Sequence, residues 1–205
     1  MYLSALKSFK MKMSLLIIAI LTLLVFLSQT YLIMAQTETQ NYKVIKPLKD
    51  FEIRLYPAAT MATVSMNANS YKELASPGFR KLAGYIFGGN DANTKIAMTT
   101  PVHMDINESQ SSMSFVMPSA YTKGKLPIPN DSSVTIITTE EEYVAAITFS
   151  GYADDESIKL NATKLENSLK ENGITYFGHF RFLGYNAPYQ FVGRKNEIIV
   201  SVKWP

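Results

Sequence analysis

A chain of 205 residues that is 47% hydrophobic and 12% aromatic supports one ordinary core and is short for two. Its net charge of +3 includes Lys7, Lys10 and Lys12 near the N-terminus, so the rest is close to neutral, without a basic block, and nucleic-acid binding is disfavoured. Cysteine is absent, which excludes disulfides, thiolate metal sites, a cysteine nucleophile and covalent attachment of a lipid or prosthetic group through a cysteine sulfur.

The three lysines precede an uncharged stretch from Met13 to Gln36 whose centre, "SLLIIAILTLLVFL", is continuously apolar. This reads as a secretory signal or a membrane anchor over residues 1–35, with residues 14–35 about long enough to span hydrocarbon. The flanking lysines favour the cytoplasmic side, which puts the later chain outside the cytoplasm. Residues 36–41 read as a short tether, and 42–205 as the folded domain.

"FEIRLYP" alternates Phe51, Ile53 and Leu55 against Glu52 and Arg54, the pattern of a half-buried strand. "MATVSMNA" is a second strand. In "SPGFRKLAGYIFGG", Ser76 is placed to cap a helix and Pro77 to occupy its first turn. Phe79, Leu82, Ala83 and Ile86 then share one face before Gly88 and Gly89 end the helix. "KIAMTTPVHM" and "MSFVMP" read as two further strands.

The second half repeats this order. "VTIITTEEEYVAAITFSGYA" holds two strands, and "DDESIKLNATKLENSLKENG" is a helix capped by Asp154 or Asp155. Ile158, Ala162, Leu165 and Leu169 form its stripe, and Gly173 stops it. "HFRFLGYNAP" and "EIIVSVKW" are the last strands. Phe51 answers to Val134, Val64 to Ile147 and Pro101 to Pro188, so a duplicated ββαββ unit with pseudo-twofold symmetry is expected. Hairpin-paired strands with one helix per half predict an antiparallel α+β sheet curled toward a barrel.

Two histidines are present. His103 stands at a strand end with Asp105 on the same side, and it is expected to be a solvated residue rather than a ligand. His179, opposite Phe180 and Phe182, is expected to face outward. Glu140, Glu141 and Glu142 read as a solvated turn, and Asp154, Asp155 and Glu156 as a helix start. Asn107, Asn130 and Asn161 head N-x-[ST] triplets. A hydrolase built on His103 and Asp105 lacks a nucleophile, since Ser150-Gly151 has no nucleophile-elbow pattern around it.

"FEIRLY", "GFRKLAGYIFGGN", "KIAMTTPV", "MSFVMP", "LPIPND", "FSGYA", "GYNAP" and "RKNEIIV" occur in this order between Tyr42 and Pro205, and together they resemble the SOUL heme-binding protein family. The resemblance implies a distorted antiparallel β-barrel with two helices. It implies non-enzymatic, non-covalent binding of b-type heme or a related tetrapyrrole in an apolar cleft beside the first helix; the chain itself is expected to be a monomer. Carried over onto this chain, the cleft would use Phe79, Leu82, Ala83 and Ile86 of the helix and Tyr189 and Phe191 of the loop before the last strand. Lys81, Arg194 and Lys195 would be its propionate partners. Some members carry a histidine in the second strand where Ala62 stands here, so ligation at that position is not expected, and His103 is the remaining axial candidate. A barrel of this kind also resembles gyrase-inhibitor-like effector-binding domains. An acidic residue deep in the cleft would favour that reading, and basic residues at the rim would favour heme.

Overall fold

The computed structural model describes residues 2–35, 37–107 and 110–205. They fall into two units, Met1–Thr37 and Glu38–Pro205. The first is one helix, α1 (Tyr2–Ala35), on which the apolar side chains from Met11 to Phe26 are exposed. Among the described residues, no helix is long and apolar enough to cross a membrane.

The second unit opens with β1 (Glu38–Thr39), inside the stretch read as a tether, followed by β2 (Lys43–Pro47), β3 (Glu52–Tyr56) and β4 (Thr60–Met66). Then come α2 (Tyr71–Ile86), β5 (Thr99–Thr100), β6 (Val102–Asp105), β7 (Ser111–Val116), β8 (Val134–Thr138) and β9 (Glu142–Ser150). α3 (Asp155–Glu171), β10 (Tyr176–Gly184) and β11 (Lys195–Val202) complete it. Nine strands form one antiparallel sheet in the order β2-β3-β9-β11-β10-β6-β7-β4-β8, and β1 pairs parallel with β5. The class is α+β, as the pattern predicts, but the sheet is open: β2 and β8 are its two edges, so the barrel does not close. The sets β3, β4, β6, β7 and β8, β9, β10, β11 take equivalent places in the order, each lending its first strand to the other's edge.

One face of the sheet carries the main core, in which Leu74, Leu82, Tyr85 and Ile86 of α2 and Leu165 and Leu169 of α3 pack on Val64, Met113, Phe115, Ile198 and Val200. Each such side chain contributes roughly 1.5–3 kcal/mol by leaving water. The other face carries a smaller cluster of Tyr56, Val144, Ala146, Leu183 and Ile199, with Tyr42 and Tyr185 against it. β3 is therefore not half-buried as its alternation predicts. Arg54 and Tyr56, on its supposed outer side, are as buried as Ile53.

α2 begins six residues earlier than "SPG" suggests. Ser70, not Ser76, is its N-cap and accepts from the Glu73 backbone N–H at 3.2 Å, while Glu73 Oε2 accepts from the Asn69 N–H at 2.9 Å. Pro77 lies inside the helix, where it removes one helical donor. The next residue, Gly78, is buried where α2 meets β7, and a Cβ there would stand 3.3 Å from Met113. The buried stripe is consequently Leu74, Gly78, Leu82, Tyr85 and Ile86.

The double glycine is the helix stop. Gly88 has φ +113°, which favours glycine, and a Cβ on Gly89 would lie 2.6 Å from the Gly84 carbonyl oxygen. Asn90, fully buried, fastens the turn by donating to the Tyr85 and Thr94 carbonyls at 3.0 and 2.8 Å. α3 follows its expected limits, with Asp154 and Ser157 forming a reciprocal capping box and Gly173 at φ +65° beyond its end. Its stripe differs by one position: Leu165 and Leu169 are buried, Ile158 and Ala162 are half-buried, and Asn161 is buried with them. Pro101 divides the strand expected over "KIAMTTPVHM" into β5 and β6.

Candidate functional site

The expected site residues of α2 have separate employments. Leu82 and Ile86 are core residues at 0% and 1% exposure, and Ala83 is half-buried. Phe79, more exposed, sets its ring edge against Phe115 with centroids 5.2 Å apart. Lys81 is not a free cation: its Nζ pairs with Asp131 at 3.1 Å and donates to Ser133 Oγ at 2.9 Å, holding the approach to β8. Hydrogen bonds from the Ser133 side chain and backbone, with Lys81 adding to them, push the Asp131 carboxyl down to about 2.

The loop between β10 and β11 is built differently. Arg194 Nη1 donates to the Ala187 and Gln190 carbonyls, both at 2.9 Å, and the guanidinium lies over the Tyr152 ring at 4.3 Å. Arg194 thereby folds the loop around itself and leaves Tyr189, Phe191 and Val192 at 70%, 78% and 84% exposure. Its Nε is buried with no hydrogen-bond partner. Burial raises the Tyr71 hydroxyl above its ordinary range, and the positive charge of Arg194 opposes that shift. Tyr71 also ties α2 to α3, its backbone N–H donating to Asp155 at 2.6 Å.

The structure thus places Tyr189, Phe191 and Val192 exposed on the loop that Arg194 holds, and sets Tyr152 against the Arg194 guanidinium. Among the described residues, no hydrogen bond, ion pair or ring contact joins them to Phe79, Lys81, Leu82, Ala83 or Ile86. Lys195 turns to the other face of the sheet, its Nζ 3.0 Å from Glu197 and 4.1 Å from the Tyr185 ring centre.

That other face holds the residues that sequence reasoning missed. Glu197 is fully buried and accepts from Arg54 Nη1 and Nη2 at 2.9 and 3.0 Å and from the Tyr185 hydroxyl at 2.7 Å. Burial alone would raise its carboxyl, but the bonds and charge of Arg54, with Tyr185 and Lys195, hold it below the usual range. Burial and the Glu197 charge raise the Tyr56 hydroxyl to about 12 and the Tyr185 hydroxyl higher still. Alternation alone placed Arg54 in solvent, so nothing in the local pattern announced this cluster.

His103 is buried rather than solvated, because β6 is an internal strand between β10 and β7. Its Nε2 lies 2.7 Å from Gln40 Oε1, and burial, with the charge of Arg181 acting in the same direction, pushes its pKa down to about 3. A cavity of about 180 Å³ opens beside it, lined also by Met61, Asp105, Ser114 and Arg181. That is below the roughly 300 Å³ at which small-molecule sites begin and too small for a tetrapyrrole.

Among the described residues, no hydrogen bond joins His103 to Asp105, although both line this cavity. Asp105 accepts from Asn107 at 3.3 Å and faces the exposed His179, whose Nδ1 is 3.4 Å away. Arg181 is held by Glu142 through bonds of 2.9 and 2.8 Å, so Glu142 is not part of a solvated turn. Among the described residues, no group of three or more His, Asp or Glu side chains is arranged to hold a metal ion. Asn130 is exposed, Asn161 is buried in α3, and the triplet at Asn107 runs outside the described residues.

The profile described as SOUL heme-binding protein matches residues 37–201. The chain is 30% identical over 156 residues to "Heme-binding protein 2" of Mus musculus, covering 72% of this chain and 76% of that protein. It is likewise 30% identical over 156 residues to "Heme-binding protein 1" of Mus musculus, covering 72% and 82%. Among solved structures, the EcmrR C-terminal domain superposes with a TM-score of 0.60 at 9% identity over 78% of this chain and all of that one. A structure titled as a hydrolase from Listeria innocua gives 0.54 at 11% identity, over 78% and 94%. At such identities these two likenesses establish the fold alone.

Proposed function

Because the chain belongs to the SOUL heme-binding protein family, we propose that it binds heme or a related tetrapyrrole non-covalently, as a carrier, store or buffer rather than an enzyme. The ligand would lie against Tyr152, Tyr189, Phe191 and Val192 beside the first turn of α2. The observation that carries this placement is Arg194, whose buried Nε has no partner while its Nη1 is spent on the loop. A buried donor left unpaired costs about 1–3 kcal/mol, and a propionate brought under the loop would recover it.

The residues present fit the group in two respects. Three exposed apolar side chains and a tyrosine offer contact to a flat macrocycle, and one guanidinium offers a charge-assisted bond to a carboxylate. They do not offer an axial histidine here: Ala62 is buried in β4, and His103 is engaged on the other face. Heme supplies the apolar ring, the propionates and the iron; the chain's part is to shield the ring and fix one carboxylate.

The reading extends to the rest of the chain. Lys7, Lys10 and Lys12 ahead of the apolar helix support a leader that puts the binding unit outside the cytoplasm, either cleaved or kept as an anchor through residues 14–35. The equivalent strand sets support a duplicated ββαββ origin, and we read the binding unit as a monomer. A hemin titration of the full chain against Arg194→Gln tests the site. The variant is expected to lose at least tenfold in affinity while its unfolding midpoint stays within a few degrees, and equal affinities would remove Arg194 from the site.

A further inference from the structure

The buried cluster on the second face has the composition of a receptor for an organic cation. A planar guanidinium is held end-on by a carboxylate, Glu197, at 2.9 and 3.0 Å. It stands 4.2 Å from the Tyr42 ring centre and 3.5 Å from the Tyr56 hydroxyl, while the Tyr185 hydroxyl donates to the same carboxylate. A bidentate carboxylate with aromatic rings around the charge is the chemistry by which proteins select guanidinium and ammonium compounds. Here the cation is the chain's own Arg54, reaching from β3 across β9 to β11, and it is 3% exposed.

We propose that Glu197, Tyr42, Tyr56 and Tyr185 form a cation-recognition site that this chain keeps filled with Arg54, so that Arg54 excludes external organic cations from the second face. This goes beyond the tetrapyrrole reading, which concerns the loop at Arg194 and does not depend on it. Taking the guanidinium away leaves a buried carboxylate with its aromatic wall intact. Lys195 does not substitute for it: its Nζ is 3.0 Å from Glu197 Oε1, but an ammonium cannot bond both carboxylate oxygens in the plane as the fork of Arg54 does. Lys195 is 40% exposed in its side chain, so the cluster reaches the surface on that side.

The test is thermal unfolding of the full chain with methylguanidinium chloride at about 20 mM against sodium chloride of equal strength. Arg54→Ala is expected to gain about 4 °C or more, saturably, whereas the wild type and the double variant Arg54→Ala, Glu197→Gln gain nothing beyond the salt control. No gain in Arg54→Ala, or an equal gain in all three proteins, would overturn the proposal. If Arg54→Ala does not fold unaided, Arg54→Met keeps the length of the side chain and carries the same comparison. If neither folds unaided, recovery on refolding is the measurement: a higher yield with methylguanidinium than with salt supports the site, and an equal yield overturns it.

Discussion

His103 Nε2 lies 2.7 Å from Oε1 of Gln40, a residue in the short lead-in between β1 and β2, and this bond fastens the start of the folded unit to an internal strand. The imidazole is neutral there, its pKa pushed down to about 3 by burial and by Arg181. An unfolded histidine titrates near 6.5, so the unfolded chain takes the proton first. The contribution of His103 to stability is therefore complete above about pH 6.5 and is lost as the pH falls toward 3. Between pH 6.5 and 5 this amounts to about 2 kcal/mol. Denaturant unfolding of His103→Gln should show a pH slope flatter by that amount, and an unchanged slope would mean that the imidazole takes up its proton as readily in the fold as in the unfolded chain.

Neither histidine should matter for the ligand. His103→Ala and His179→Ala are expected to hold the hemin dissociation constant within about threefold, since a lost ligand bond would move it by orders of magnitude. A hundredfold loss with a displaced Soret band in either variant would make that residue an axial ligand.

The start of α2 distinguishes two serines. Ser70→Ala removes the bond to the Glu73 N–H and should cost about 1 kcal/mol, a fall of roughly 2–4 °C in calorimetry. Ser76→Ala, in the middle of the helix, should change the midpoint by less than about 1 °C. Equal effects would contradict the cap at Ser70.

Two lysine and arginine positions separate engaged from available charge. Lys81 is committed to Asp131 and Ser133, so Lys81→Gln is expected to leave hemin affinity within about twofold and to cost less than about 1 kcal/mol of stability. Arg194→Gln is expected to keep the fold and lose the affinity. The reverse pattern in isothermal titration would move the carboxylate partner to α2.

On the loop, Tyr189→Glu and Phe191→Glu place a charge where the side chain is already 70–78% exposed, so unfolding should shift by only a few degrees. Hemin binding should weaken at least tenfold through lost apolar contact and repulsion of the propionates. Affinities unchanged in both would leave the loop a structural turn.

Much of this was legible in the chain because it is local. The glycine stop of α2, the cap and stripe of α3 and most strand limits are decided by residues a few positions apart. The start of α2 was misplaced, because Ser76-Pro77 is locally sufficient as a helix start and competes with the cap that the structure uses, Ser70 with Glu73. The structure resolves the competition through packing: Leu74 is buried against the sheet, and that extra turn outweighs the internal proline. The burial of Arg54, Glu197 and His103 was not legible, since it depends on the second face of the sheet being covered, and strand alternation assumes that one face meets water. The same limit applies to Lys81, whose partner Asp131 is fifty positions away, and to Arg194, whose unpartnered nitrogen exists only once the loop has closed on it.

The most direct measurement of the central claim is a parallel titration of the full chain with hemin and with metal-free protoporphyrin, followed by absorbance in the Soret region. Binding through apolar contact and Arg194 predicts saturable one-to-one association with both, at constants within about tenfold of each other, because no protein bond to the iron is required. Saturable binding of hemin alone would place an axial ligand at the centre of the site, and no saturation with either would contradict tetrapyrrole binding altogether.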